Sequence, residues 1–196
     1  GLARGDAAAL SAVAGLVDDP DPAVRQQVLL SMGEARGEAA ALVLAEALLL
    51  SAESADLLDA GMTSLTPQMV EAVTLAVSQA VNEERVGGPA ATRLVGKLLV
   101  QAASMGKADG LAEARAALLA SVDAAAAAER LELATAIIKG GRADEAVDAA
   151  ARVVVAAAWT ILHDAAAEPQ RRVAAVQLLD AAGESFASEE LTDLLL

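Results

Sequence analysis

Cysteine is absent from the chain, and its absence excludes disulfides, thiolate nucleophiles and cysteine-ligated zinc or iron–sulfur centres together. Tyrosine is absent as well, and the aromatic residues are a single Trp159 and a single Phe186, so any core must be filled by Ala, Leu and Val. One histidine, His163, is too few for the three- or four-ligand sets that hold zinc. Lysine occurs only at Lys97, Lys107 and Lys139. The longest apolar run, Val153 to Leu162, falls well short of the roughly 20 residues that cross a bilayer, so no direct membrane insertion is expected. No signal peptide is visible. The chain begins Gly1-Leu2-Ala3 rather than with Met, which reads as a fragment, a processed form or a trimmed start.

What is present is alanine, leucine and acid. Of 196 residues 56% are hydrophobic, and 28 acidic against 14 basic side chains leave a net charge of -14. That field repels a phosphate backbone, and no basic stripe interleaved with aromatics interrupts it. Nucleic acid and anionic membranes are therefore excluded as expected partners. Alanine is the strongest helix former and its small side chain lets helices approach closely. No alternation of strand-forming residues is sustained. The fold class is all-α.

Helix punctuation recurs along the chain and predicts eleven helices. Asp6 caps a helix to about Val17. Asp21 and Pro22 suit the N-cap and first position of the next, with Gly33 as its C′ residue. A third covers Glu38 to Leu50, a fourth ends near Leu65, and Thr66-Pro67 opens a fifth to about Val81. The stretch NEERVGGP, 82–89, is the clearest break and a candidate hinge. Further helices end near Met105, Ser121, Lys139 and His163, a tenth runs from Pro169 to Ala182, and the last from Ser188 to the end. Eleven short helices are too many for a four-helix bundle and fit stacked helical hairpins, each covering its neighbour's apolar face. Val153 to Leu162, apolar nearly all round, is expected to be covered on more than one side.

Two segments repeat. Asp18-Asp19-Pro20-Asp21-Pro22-Ala23-Val24-Arg25 leads into an apolar helix ending at Gly33, and Glu168-Pro169-Gln170-Arg171-Arg172 leads into another ending at Gly183. Arg25 and Arg172 each sit three residues after the helix-opening proline, where a guanidinium can reach the loop before. Val28 with Met32, and Ala175 with Leu179, continue an inward face. Asp21, Pro22, Arg25, Pro169 and Arg172 are thus the expected structural residues.

The D-x-x-V-R pattern followed by apolar residues and glycine resembles the second helix of a HEAT repeat, which implies an α-solenoid of stacked antiparallel helix pairs spanning 1–196. More narrowly, the segment order resembles the HEAT-like region of large exported bacterial proteins that join a β-propeller, helical repeats and a C-terminal cytochrome c, often described as membrane-bound dehydrogenases. Their "D-P-x-V-R-x-Q-x-x-x-S-x-G-E" helix is similar to Asp21 through Glu34 here, and their S-S-L-like end to Met62-Thr63-Ser64-Leu65. Their later "A-x-D-x-x-x-P-x-x-x-R-x-A-A-x-x-L-L" repeat is similar to Leu162 through Leu179. The chain departs from them in having Leu58 and Leu94 at positions of tryptophan and phenylalanine. It also has no Cys-x-x-Cys-His to attach a haem. The resemblance implies a scaffold between working domains, in the periplasm or cell envelope; without it the expected compartment is the cytoplasm.

No constellation of residues reads as catalytic. His163 lies one turn after Trp159 and suits a helix C-terminus near the negative end of the dipole. The pairs Asp18-Asp19, Glu83-Glu84 and Glu189-Glu190 sit at helix starts and turns, not in an enclosure that would split their pKa values. Gly87-Gly88 and Gly140-Gly141 follow no strand, and Gly96-Lys97 and Gly106-Lys107 lack the rest of a phosphate-loop signature. One surface feature stands out: Arg93, Lys97, Gln101 and Ser104 form a stripe on the sixth helix, opposite Leu94, Val95, Leu98 and Leu99. It is the candidate binding site, against the plainer reading of a solvated helix face. The expected function is a non-catalytic scaffold that binds protein partners or adjacent domains, without cofactor. The alternative is the spacer of a haem-linked dehydrogenase. The apolar end Leu191, Leu194, Leu195 and Leu196 is expected to associate with further sequence or another copy.

Overall fold

The computed structural model describes residues 2, 6–83, 88–139 and 144–185. The eleventh predicted helix, the Gly140-Gly141 pair, Phe186 and the terminal leucines lie outside them. All regular structure among the described residues is helical: α1 (Ala7–Ala14), α2 (Pro22–Ser31), α3 (Glu38–Leu50), α4 (Ala55–Thr63), α5 (Val70–Asn82), α6 (Pro89–Ser104), α7 (Ala112–Ala120), α8 (Ala128–Lys139), α9 (Glu145–His163) and α10 (Pro169–Ser185). Short 3-10 turns, Met32–Glu34 and Asp109–Leu111, follow α2 and precede α7.

Asp6, Asp21 and Pro22 cap as the sequence marks, and Asp144 and Pro89 add two that it does not single out. Asp6 accepts from the amides of Ala8 and Ala9, Asp21 from Ala23 at 2.8 Å and Asp144 from Ala146 at 3.0 Å, and Pro22 and Pro89 occupy the first helical position. Three local expectations are corrected. Thr66-Pro67 does not open α5, which starts at Val70 after a turn over 67–69. α1 stops at Ala14 and the chain turns before Val17. Gly33 is not a left-handed C′ residue: it lies in the 3-10 turn, where an added Cβ would come within 3.3 Å of Ser64 Cα. The positive φ falls instead at Gly37, at 89°, immediately before α3, in a region that only glycine enters without strain.

The chain divides into two compact units, Gly1–Lys107 and Ala108–Leu196. In the first, α2 packs mainly on α4 and α3 on α5, while α6 lies against α5. The helices on either side of the break at 82–89 therefore pack directly together. In the second, α7 packs on α9 and α8 on α10, with α9 also against α10. Helices two apart in sequence pack together in both units, and the adjacent pairs α5–α6 and α9–α10 pack about as extensively. Each unit buries its own aliphatic core: Leu29, Met32, Leu44, Leu48, Val73, Leu94 and Leu98 in the first, Leu118, Leu119, Leu131, Val154, Val155 and Leu178 in the second. Alanine supplies the close approaches, with Ala40, Ala102, Ala158, Ala175 and Ala181 fully enclosed.

α9 is long and apolar enough, by length and composition, to cross a membrane. Here its Val147, Ala151, Val154, Val155, Ala158 and Ile161 face the core of the second unit. Val153 is 62% exposed and Ala149, Arg152, Ala156 and Thr160 continue the open face. The helix packs against α7, α8 and α10, so it is covered on more than one side, and one stripe remains open.

Candidate functional site

α6 begins where Gly88, at φ 94°, turns the chain and Pro89 fixes the first helical φ. The Thr92 hydroxyl donates to the Gly88 carbonyl at 3.1 Å, satisfying an acceptor on the first turn. Ala90, Ala91, Leu94, Val95, Leu98 and Ala102 are buried. That phase fixes what the opposite face shows: Arg93, Lys97, Val100 and Ser104 are exposed, with Gln101 half-buried beside them. Leu99, assigned to the inward side by the sequence, is only half-buried. Val100, which interrupts the polar stripe, is 58% exposed. The Ser104 hydroxyl turns back to the Gln101 carbonyl at 2.7 Å, so the polar stripe narrows towards the two cations. Among the described residues neither Arg93 nor Lys97 has a hydrogen-bond or ion-pair partner.

The structural arginines divide differently from the sequence reading. Arg25 donates from Nη1 to the carbonyl of Asp19 at 2.6 Å and to that of Pro20 at 3.4 Å. The guanidinium thus ties the first turns of α2 to the loop before it, while the Asp19 carboxylate accepts from the Asp21 amide at 2.9 Å. Arg172 makes no such contact: it is exposed. The residue that does is Arg171, whose Nε donates to Ala126 O at 2.9 Å and Nη2 to Ala124 O at 2.6 Å. Arg172 is thereby corrected by one position. The signal was available in the phase of α10: Arg171 lies three and four residues before the buried Ala174 and Ala175, hence on the inward face, and Arg172 is turned about 100° away.

Arg115 was missed altogether. It is buried on α7 and donates from Nη2 to the Ile137 carbonyl of α8 at 2.9 Å. Burial lowers its pKa from the ordinary guanidinium value, partly offset by the carboxylates of Asp144 and Asp148. Its sequence signal is again phase, because Leu111, Leu118 and Leu119 at four before and three and four after all point inward.

His163 stacks on Trp159 with ring centroids 5.3 Å apart, and its Nδ1 lies 2.9 Å from the Trp159 carbonyl. A carbonyl only accepts, so Nδ1 carries the proton in that contact. The ring is exposed at the end of α9. Trp159 Nε1 is buried without a hydrogen-bond partner. Asp18 is exposed, and Asp19 is held in its turn; Glu84 and the Glu189-Glu190 pair lie outside the described residues. No group of three or more histidine or acidic side chains converges to hold a metal among the described residues. A cleft of about 400 Å³ lies between Gly33–Gly37 and Thr66, Gln68 and Met69. It offers Glu34, Arg36, Thr66 and Gln68, but no described side-chain hydrogen bond joins them into a nucleophile–base pair.

No protein-family model, curated protein or solved structure matches the chain.

Proposed function

We propose that the chain is a non-catalytic helical-repeat scaffold of the HEAT type, an α-solenoid of antiparallel helix pairs that binds protein partners or adjacent domains. The observation that carries this reading is the packing of α2 on α4, α3 on α5, α7 on α9 and α8 on α10. Contacts between helices two apart are what stacked hairpins produce, since the first helix of each pair lies on the first helix of the next. The Arg25 brace from α2 to its preceding loop suits the repeat motif, with its proline and arginine one turn apart. Repeats of this kind present extended helix faces, and α6 displays its basic stripe on such a face.

A second reading is favoured by the Asp21–Glu34 and Leu162–Leu179 motifs: the chain would be the spacer of a cell-envelope dehydrogenase that carries its haem on another domain. The two readings separate on the sequence of the complete gene. A propeller upstream and a Cys-x-x-Cys-His downstream support the second, whereas flanking solenoid repeats alone overturn it.

The scaffold itself is tested by cross-linked affinity capture with the intact protein, using heat-denatured protein as the control bait. The expected outcome is one or a few proteins recovered in stoichiometric amount by the folded bait alone. Equal recovery by both baits overturns the reading.

A further inference from the structure

Charge is segregated along this chain. Residues 88–108 contain no Asp or Glu and three basic residues, Arg93, Lys97 and Lys107, although the whole chain holds 28 acidic and 14 basic side chains. Subtracting the segment leaves 28 acidic and 11 basic residues elsewhere, a net charge of -17 against +3. The segregation coincides with α6 (Pro89–Ser104). On its open face Arg93 and Lys97 lie one turn apart, flanked by the exposed Val100 and the half-buried Gly96, Leu99 and Ala103. Neither cation is neutralised by a carboxylate among the described residues. Side chains one helical turn apart sit about 5–6 Å from each other, the spacing at which one partner helix can present two carboxylates. The small residues beside them permit close approach of that helix, and Val100 offers it an apolar contact.

We infer that the open face of α6 docks an acidic amphipathic helix of a partner protein. That helix would set carboxylates one turn apart against Arg93 and Lys97, and an aliphatic side chain against Val100. The inference rests on the scaffold reading and names the partner class for its candidate surface. A phosphate polymer fits less well, because two cations on an otherwise acidic molecule cannot follow an extended chain of charges. A short carboxylate-bearing helix engages the strip alone.

The test uses the full chain and a pair of N-acetylated helical peptides of about 16 residues, matching the ~24 Å length of α6 at 1.5 Å per residue. One carries Glu at successive turns beside a leucine seam, and the other carries Lys at those positions. Carbodiimide coupling joins a carboxylate to an amine that it already contacts, and Lys139, exposed on α8, serves as the internal control for Lys97. The expected result is coupling of the Glu peptide to Lys97 at least tenfold above Lys139. Coupling should fall at least tenfold at high salt, where surface charge is screened. Arg93→Glu with Lys97→Glu should abolish it and transfer preference to the Lys peptide, with the circular dichroism spectrum unchanged.

Equal coupling at Lys97 and Lys139, or indifference to the charge reversal, overturns the inference. So does chain-to-chain coupling through Lys97 that outcompetes the peptide, which would make a second copy the occupant, or displacement of the peptide by an equimolar oligonucleotide. Failure of the peptide with partner capture by the folded bait intact overturns the α6 assignment and leaves the scaffold standing. Failure of capture with Lys97 coupling retained overturns the scaffold instead.

Discussion

Arg25 and Arg171 do the same work at different positions: each spends its guanidinium on main-chain carbonyls of a connection that the helices leave unsatisfied. Arg25 serves Asp19 and Pro20 in the loop before its own helix, and Arg171 serves Ala124 and Ala126 in the connection before α8. Removing either donor strands one carbonyl partly shielded from water, Asp19 O or Ala126 O, at a cost of about 1–3 kcal/mol. Arg25→Ala and Arg171→Ala are therefore each expected to lower stability by about that amount. Arg172→Ala, an exposed neighbour with no such contact, should stay within about 0.5 kcal/mol. Urea denaturation midpoints decide the matter. An Arg172→Ala loss equal to that of Arg171→Ala would show that the bracing role is wrongly divided between the two.

α4 illustrates how an element is placed by what it lacks. Gly61 is buried on this helix, and an added Cβ would stand 2.5 Å from Leu48 Cδ2 and 3.0 Å from Leu29 Cδ2. Both leucines are completely buried, so either can give way only if its own core neighbours shift. The glycine thus allows α4 to settle against α2 and α3. Alanine would gain roughly 1 kcal/mol of helix propensity but incur overpacking of about 1–3 kcal/mol. Gly61→Ala is therefore expected to destabilise by ~1 kcal/mol in thermal or chemical melts. The loss should shrink when combined with Leu48→Ala, because the two changes share one volume and are not additive. A Gly61→Ala protein more stable than the wild type would mean that propensity, not packing, governs α4.

Two cores and a single tryptophan give the whole molecule an unusual reporter. Trp159 lies on α9 in the second unit, Ala108–Leu196, whereas helices of both units contribute to the circular dichroism at 222 nm, a wavelength set by the peptide group in general. Each unit closes its own hydrophobic core, and separate cores permit separate cooperative transitions. Denaturation followed by Trp159 emission is expected to have a midpoint different from that followed by circular dichroism. Coincident curves at every denaturant concentration would show one cooperative unit.

Sequence alone determined that this molecule is built of helices without strands among its described residues, and where most of them start. Capping aspartates and prolines act within one turn, so Asp6, Asp21 and Pro22 could be read locally. The α6 stripe was legible for the same reason, since buried Leu94, Val95 and Leu98 fix the direction of Arg93 and Lys97 by helical period alone. Helical phase could turn Arg171 and Arg115 inward, but the partners they meet across sequence were not legible. Arg171 against Ala126, buried Arg115 against Ile137, and Gly33 against Ser64 each depend on which backbone lies opposite. So does the division of the chain at Lys107 and Ala108. An alanine-rich sequence can pack a helix face against many alternative neighbours, because small side chains impose little shape of their own. Only the tertiary structure selects among them, through the close approaches that a particular glycine, alanine or guanidinium allows.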